Sequence, residues 1–231
     1  MATLFIVATP IGNLEDLSMR ALRILKEVDF ILCEDTRVTK KLLEHCQIKK
    51  PLLSYHQHSK LKKVNYILEL LKQGKNLALV SDAGTPGISD PGNLLVYEAI
   101  ERLREKVEII PIPGPSAATA AASISGFPMD KFLFLGFPPA KRKRKKFFQE
   151  VIGSKYPVIF YESPYRIIKS LRDLQLISKT YNLKPKIVVC RELTKKFETI
   201  YRGEIEEVIK EIEKDIIKGE FVIIVESDRR R

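Results

Sequence analysis

Along the first half of the chain, short runs of β-branched and aromatic residues alternate with stretches whose apolar positions recur every three to four residues. Runs at 3–8 (TLFIVA), 30–33 and 76–80 read as strands buried on both faces. Between the last two, Leu61, Val64, Ile67, Leu68 and Leu71 fall at helical spacing over 61–73, with Gly74 placed as the stop. After residue 80 comes a loop, then Asp90-Pro91, an N-cap signal followed by proline at the first helical position. That pair predicts a helix running to about residue 103. A strand follows at 107–111, and Ser116 opens an Ala-rich helix. Strands alternating with helices predict βαβ units and a largely parallel sheet.

The second half is patterned differently. Strands are expected at 132–136, 158–162, 186–190, 199–203 and 221–225. Ser163-Pro164 repeats the cap-plus-proline signal and predicts a helix to about residue 176. Ile205, Val208, Ile209, Ile212 and Ile216 make one helical stripe, which Gly219 is expected to end. Strands near 190 and 200, with no helix between them, predict antiparallel pairing. The sequence PIPGP at 111–115 breaks regular structure. The fold class expected is therefore α/β, with two α/β domains at 1–113 and 114–231. No internal repeat of fixed period is present.

Composition narrows the class without naming an activity. With 231 residues, 45% hydrophobic and 30% charged, the chain is ordinary for a globular protein, which excludes disorder, collagen-like repeats and low-complexity scaffolds. No apolar run approaches the roughly 20 residues needed to span a bilayer. The opening MATLFIVATP lacks the basic region and cleavage site of a secretory signal. Cys33, Cys46 and Cys190 are an odd number with no C-x-x-C pair, which fits a reduced cytoplasmic chain better than a disulfide framework.

The net charge of +11 is concentrated. Lys141, Arg142, Lys143, Arg144, Lys145 and Lys146 supply six positives in a row, and Arg229-Arg230-Arg231 supply three more. Without those nine, 31 basic residues face 29 acidic ones, so the rest is almost neutral. Such a block suits a phosphate backbone, and it equally suits a solvated face that keeps the chain soluble. Charge alone selects neither.

Three Gly/Pro-rich segments fall where strands are expected to end: ATPIGN (8–13), SDAGTPGISDPG (81–92) and IPGPSA (112–117). In open α/β sheets, ligands bind outside the carboxyl ends of strands, and glycines there admit close backbone approach. A single such loop reads as a tight turn, whereas three on one sheet edge point to a ligand site. Neither G-x-x-x-x-G-K-[ST] nor G-x-G-x-x-G occurs, so a Walker-type nucleotidase and the common dinucleotide fingerprint are unsupported.

ATPIGNLEDLSMRAL, ILCEDTR, SDAGTPGISDPG, PIPGPSA, LGFPP and FYESPYR, in this order and spacing, resemble the tetrapyrrole-methylase superfamily of S-adenosylmethionine (SAM) enzymes. More narrowly they are similar to its ribosomal RNA branch, which methylates the 2′-hydroxyl of a cytidine in the decoding region of small-subunit ribosomal RNA. The likeness runs from residue 3 to about 225. It implies a class III SAM methyltransferase fold, with SAM held in a cleft between two α/β domains, and a homodimer acting on small-subunit ribosomal RNA or the small ribosomal subunit. It further implies cofactor roles for Asp82, Gly84, Thr85, Pro86, Ile88, Ser89 and Asp90, for the small pair Ser116-Ala117, and for Tyr161, Glu162 and Leu193. Thr85 stands where tetrapyrrole-methylating relatives often carry an acid. Pro10, Ile11, Gly12 and Asn13 match a loop that borders the substrate.

A ribose hydroxyl is a poor nucleophile, so a general base could add about 10²–10⁴-fold. Candidates are Glu34 and Asp35 in CEDTR, Asp82, Glu162, His56 and His58. A carboxylate at a strand end is as often a helix cap or an arginine partner as a base, and for Asp35 both readings stand. His56 and His58 alternate faces in an extended segment and have no third ligand nearby, so zinc is not expected and contact with RNA or a polar loop remains. Arg37 is the foremost phosphate candidate, joined by Arg166, with Tyr165 placed to meet a base. Pro10, Asn13 and the run 141–146 complete the expected RNA contacts. Two other readings stay open: a methylase of a small tetrapyrrole precursor, and a non-catalytic RNA- or ribosome-binding protein.

Overall fold

Strands β1 (Ala2–Val7), β2 (Phe30–Cys33), β3 (Leu52–Ser54), β4 (Leu77–Val80) and β5 (Val107–Ile112) form one sheet in the order β3-β2-β4-β1-β5, every pair parallel. The computed structural model describes residues 1–56 and 61–226, so His58 and Arg229–Arg231 lie outside the described residues. The chain divides into two units, Met1–Ser116 and Ala117–Arg231.

In the first unit, alternate residues of each strand feed opposite faces of the sheet. Leu77 and Leu79 join one core with Val64, Ile67, Leu68 and Leu71 of α3 (Leu61–Lys72) and Leu95 and Ala99 of α4 (Asn93–Leu103). Ala78 and Val80 join the other, with Ile24 and Leu25 of α1 (Met19–Glu27) and Leu43 of α2 (Thr36–His45). Burial of this kind is worth about 1.5–3 kcal/mol for each large side chain. Because all five strands run the same way, their carboxyl ends lie on one edge.

The second unit has a mixed sheet. Strands β6 (Leu133–Phe134), β7 (Val158–Glu162), β8 (Lys186–Arg191), β9 (Thr199–Glu204) and β10 (Phe221–Val225) take the order β6-β7-β10-β8-β9. Only β6–β7 is parallel; β7–β10, β10–β8 and the predicted β8–β9 pair are antiparallel. One face is covered by α6 (Arg144–Gly153), α7 (Ile167–Thr180) and α8 (Ile205–Lys214), whose stripes Phe148/Val151, Leu171/Leu174 and Val208/Ile212 meet Phe160, Val189 and Ile223. The Ala-rich α5 (Ala117–Ile124) packs against β7 and β10. Among the described residues, no helix is long and apolar enough to cross a membrane.

Both cap-plus-proline signals mark turns rather than helix starts. α4 begins at Asn93 with Gly92 as N-cap at φ +150°, and the Asn93 side chain donates to the Gly87 carbonyl. α7 begins at Ile167, after a turn in which the Ser163 carbonyl accepts from Arg166 and Ile167 N–H, and it continues to Thr180. The helix expected to end at Gly219 stops at Lys214, because Asp215 turns extended; Ile216 is left exposed. β6 shrinks to two residues. α2 and β3 interrupt the stretch that periodicity left unassigned between 33 and 61: α2 buries only Thr39, Leu42 and Leu43, too sparse a stripe to stand out among lysines.

Candidate functional site

The three glycine loops are stitched together at the carboxyl edge of the first sheet. Thr9 N–H donates to the Gly84 carbonyl at 2.9 Å and Gly84 N–H donates back to Thr9 at 3.1 Å, a lone antiparallel bridge between the loops after β1 and β4. The Thr9 hydroxyl adds a bond to the Ser81 carbonyl at 3.0 Å, and the Thr85 hydroxyl donates to the Pro115 carbonyl at 3.2 Å, joining the loop after β5. Gly114 closes the set: a Cβ there would stand 2.9 Å from the Ala8 Cβ, so only glycine lets these two backbones approach. Gly84 and Gly87 sit at φ +83° and +81°, the left-handed region that favours glycine. Ser89 adopts φ +62° despite its Cβ, local strain of the kind found at ligand sites.

Within this loop Gly84 and Pro86 are buried and form its base, Thr85 and Asp90 are half-buried, and Asp82, Ile88 and Ser89 are exposed. The Ser81 hydroxyl is buried with no hydrogen-bond partner among the described residues. Ser116 and Ala117 are half-buried where α5 opens. Asn13 caps a single 3₁₀ turn, accepting from Glu15 N–H at 3.0 Å. Pro10 is buried, which removes it from the surface expected to meet RNA.

The loop after β2 carries the first acid group. Asp35 is the N-cap of α2, accepting from Arg37 N–H at 2.8 Å, and it pairs with the Arg37 guanidinium at 2.6 Å. These bonds hold its carboxyl down at about 2, so the capping reading prevails over the base reading. Asp35 N–H in turn donates to the Asp82 carboxylate at 3.1 Å, tying β2 to β4. Partial desolvation raises the Asp82 carboxyl, and the charge of Asp35 adds to it. Glu34 is raised too, by desolvation first and then by the charges of Asp82 and Asp35, with exposed His56 opposing them.

In the second unit the acid behaves differently. The Glu162 side chain is fully buried; Oε1 accepts from Ser163 N–H at 2.8 Å and meets the Arg166 guanidinium at 2.8 Å. Its Oε2 accepts from the Ser170 hydroxyl and faces Arg144 at 3.9 Å. A carboxylate so enclosed by two guanidiniums is a structural hub, and Glu162 drops out of the candidate bases. Arg144 drops out of the basic surface with it: it bonds Asp173 at 2.7 Å and the Ser170 hydroxyl at 2.7 Å, while Lys141, Arg142, Lys143, Lys145 and Lys146 stay exposed. Arg166, expected on phosphate, is committed to Glu162 as well.

Tyr161 presents its hydroxyl oxygen to Ala118 N–H at 3.2 Å, in the first turn of α5, and its ring packs edge-on against Phe134 and Phe137. Leu193 is buried in a turn flanked by Glu192 at φ +51° and Thr194 at φ +65°. Sequence reasoning singled out the loops that hold Thr9 and Gly114 without giving either residue a role, and it missed Ser170 and Asp173. For Arg144 a signal existed: it stands four, seven and eight residues before Phe148, Val151 and Ile152, on the apolar stripe of α6.

A parallel five-stranded unit with laced glycine loops, followed by a mixed-sheet unit, is the architecture of a known methylase class. Residues 3–209 match the family model of Tetrapyrrole (Corrin/Porphyrin) Methylases, and the chain belongs to that family. The family's methyl donor is S-adenosylmethionine. Among curated relatives, the chain is 47% identical over 227 residues to "Ribosomal RNA small subunit methyltransferase I" of Halalkalibacterium halodurans, covering 98% of this chain and 76% of that one. A protein of the same name from Thermotoga maritima is 45% identical, with 97% of this chain and 98% of the relative covered. Among solved structures, the methyltransferase CobJ superposes with a TM-score of 0.69 at 20% identity, over 100% of this chain and 95% of that one. The cobalt precorrin-4 methyltransferase CbiF gives 0.64 at 19%, over 97% and 94%. Those two likenesses show the fold alone.

Proposed function

We propose that this chain transfers a methyl group from S-adenosylmethionine to the 2′-hydroxyl of a cytidine in the decoding region of small-subunit ribosomal RNA, working in the cytoplasm as a homodimer. The observation that carries this reading is identity near 45% over almost the whole chain to relatives named for small-subunit ribosomal RNA methylation. The likeness to CobJ and CbiF, at 20% and 19% identity, is one of fold.

SAM supplies an electrophilic methyl on a sulfonium when bound; the rest is the work of the chain. The orphaned Ser81 hydroxyl and the glycine-only contact at Gly114 support a ligand-bearing edge in the first unit. There we assign cofactor contacts to Asp82, to the loop from Gly84 and Thr85 through Ile88 and Asp90, and to the backbone of Ser116 and Ala117. In the second unit we assign them to Tyr161 and to the strained turn at Leu193. Alignment and exclusion of water supply much of the acceleration. Glu34 is the proposed general base: its exposed carboxyl binds a proton more readily than an ordinary glutamate, whereas Asp35 is held too acidic to accept one. Desolvation raises Glu34 first, and the charge of Asp82 adds to it.

The test is incubation with labelled SAM and either small ribosomal subunits or a tetrapyrrole precursor. Label on a cytidine 2′-hydroxyl is expected. Label only on the tetrapyrrole, or on a base of the RNA, overturns the proposal.

A further inference from the structure

The Glu162 hub has a second set of bonds that no catalytic role explains. Arg166 reaches from Glu162 to the Pro138 carbonyl at 3.5 Å, and Arg144 reaches from it to the next carbonyl, Pro139, at 3.2 Å. Two guanidiniums rooted on one buried carboxylate thus grip consecutive peptide units of one loop. Arg144 is also bonded to Asp173 and Ser170 of α7, so the loop is tied to the core of its unit. At its far end Lys143 is held at φ +65°, in the left-handed region, where it turns the chain into α6.

What this loop displays is cationic and aromatic. Lys141, Arg142 and Lys143 are exposed along it. Phe137, 52% exposed, is braced edge-on against Tyr161 at 5.4 Å. Tyr165, one residue before the arginine that grips Pro138, is 95% exposed. A tyrosine so bare contributes nothing to the fold. Its neighbour Arg166 reaches the same loop at Pro138, and a bare aromatic ring next to a loop of exposed cations has the chemistry of a stacking surface for an unpaired base whose backbone is neutralised alongside.

We infer that the Glu162–Arg144–Arg166 hub pre-shapes loop 137–143 as a grip for single-stranded RNA, in which Tyr165 stacks on an unpaired base and Lys141, Arg142 and Lys143 meet the phosphates. Arg166 and Arg144 are positioning residues here, not phosphate ligands. Charge complementarity selects the occupant: the surface is basic, and RNA is the anionic substrate of the proposed function, on which this inference rests. A preformed grip avoids part of the ordering cost of binding.

The test is fluorescence anisotropy of a labelled single-stranded pyrimidine oligonucleotide and a duplex of equal length across a salt series, alongside SAM binding and methyl transfer to small subunits. Tyr165→Ala is expected to weaken single-strand binding about 5- to 150-fold, with Tyr165→Trp restoring it and SAM affinity unchanged. Replacing Lys141, Arg142 and Lys143 by Gln is expected to flatten the slope of log K against log salt by about 2. Arg166→Gln is expected to weaken binding with that slope unchanged, whereas a phosphate ligand would lower it by about 0.7. Unchanged binding by Tyr165→Ala, equal loss on the duplex, or a lowered slope for Arg166→Gln overturns the inference. Tyr165 lies bare on the surface, so its variants fold whatever the arginine variants do. Methylation by wild type with full binding by Tyr165→Ala defeats the grip alone; binding as expected without any methylation defeats the proposed function alone.

Discussion

CEDTR and YESPYR read alike: each puts an acid at the end of a strand, with an arginine a few residues on. In the structure they part company. In the first unit Asp35 and Arg37 pair at the surface, with the arginine side chain 87% exposed, and Glu34 is left open. In the second, Glu162 is buried and answered by two guanidiniums, two hydrogen-bond donors and a loop that depends on them. The difference is depth. A carboxylate that keeps water on one side retains a proton affinity that chemistry can use. One sealed among arginines has its charge fully committed, and losing it undoes the packing around it.

The sharpest way to break this contrast is to neutralise each acid in turn. Glu34→Gln is expected to lower kcat by about 10²–10⁴-fold, with SAM affinity and melting temperature unchanged. In the wild type, the rate is expected to climb with pH through a Glu34 pKa lying above the ordinary 4.5, and Glu34→Gln is expected to lose that acid limb. Glu162→Gln is expected to do the reverse: about 3–5 kcal/mol of stability lost in denaturant unfolding, because the buried Arg144 and the half-buried Arg166 lose the carboxylate they share. A stable, inactive Glu162→Gln would erase the distinction.

Two smaller effects sharpen it. Gly114→Ala pushes a Cβ against Ala8 and is expected to cost about 1–3 kcal/mol in the unfolding of the first unit, with weaker SAM binding by calorimetry. The smallest concerns Asp35, whose folded pKa of about 2 lies below its unfolded value near 3.8. Its contribution to stability is therefore fully present above about pH 4 and lost as pH falls toward 2. Asp35→Asn is expected to shallow the acid limb of the stability curve over that window and to leave neutral-pH activity almost untouched.

Much of the first unit was legible because its strands are near-continuous apolar runs that end abruptly in glycine and proline. Once those ends were placed, the convergence of three loops on one edge followed from parallel pairing. The lacing at Thr9 and Gly84 was not legible, since a bridge between loops leaves no periodic trace. Helix starts were misread twice for one reason: proline after Asp or Ser favours a turn as well as a first helical residue. Glu162 and Arg144 were misread because polar letters hide burial. The run 141–146 looks uniform, yet one of its six side chains belongs to the core stripe of α6, which only the helix phase reveals.

The bridge between Thr9 and Gly84 gives the site a kinetic character. Two amides in what would otherwise be free loops are locked to each other by an antiparallel bridge, beside a sheet in which every pair is parallel. Their hydrogens should exchange with solvent slowly and together, on the timescale of core opening rather than of loop motion. The base of the glycine loop thus behaves as an extension of the sheet, and only its tip, near Ile88 and Ser89, is left to respond when a ligand arrives.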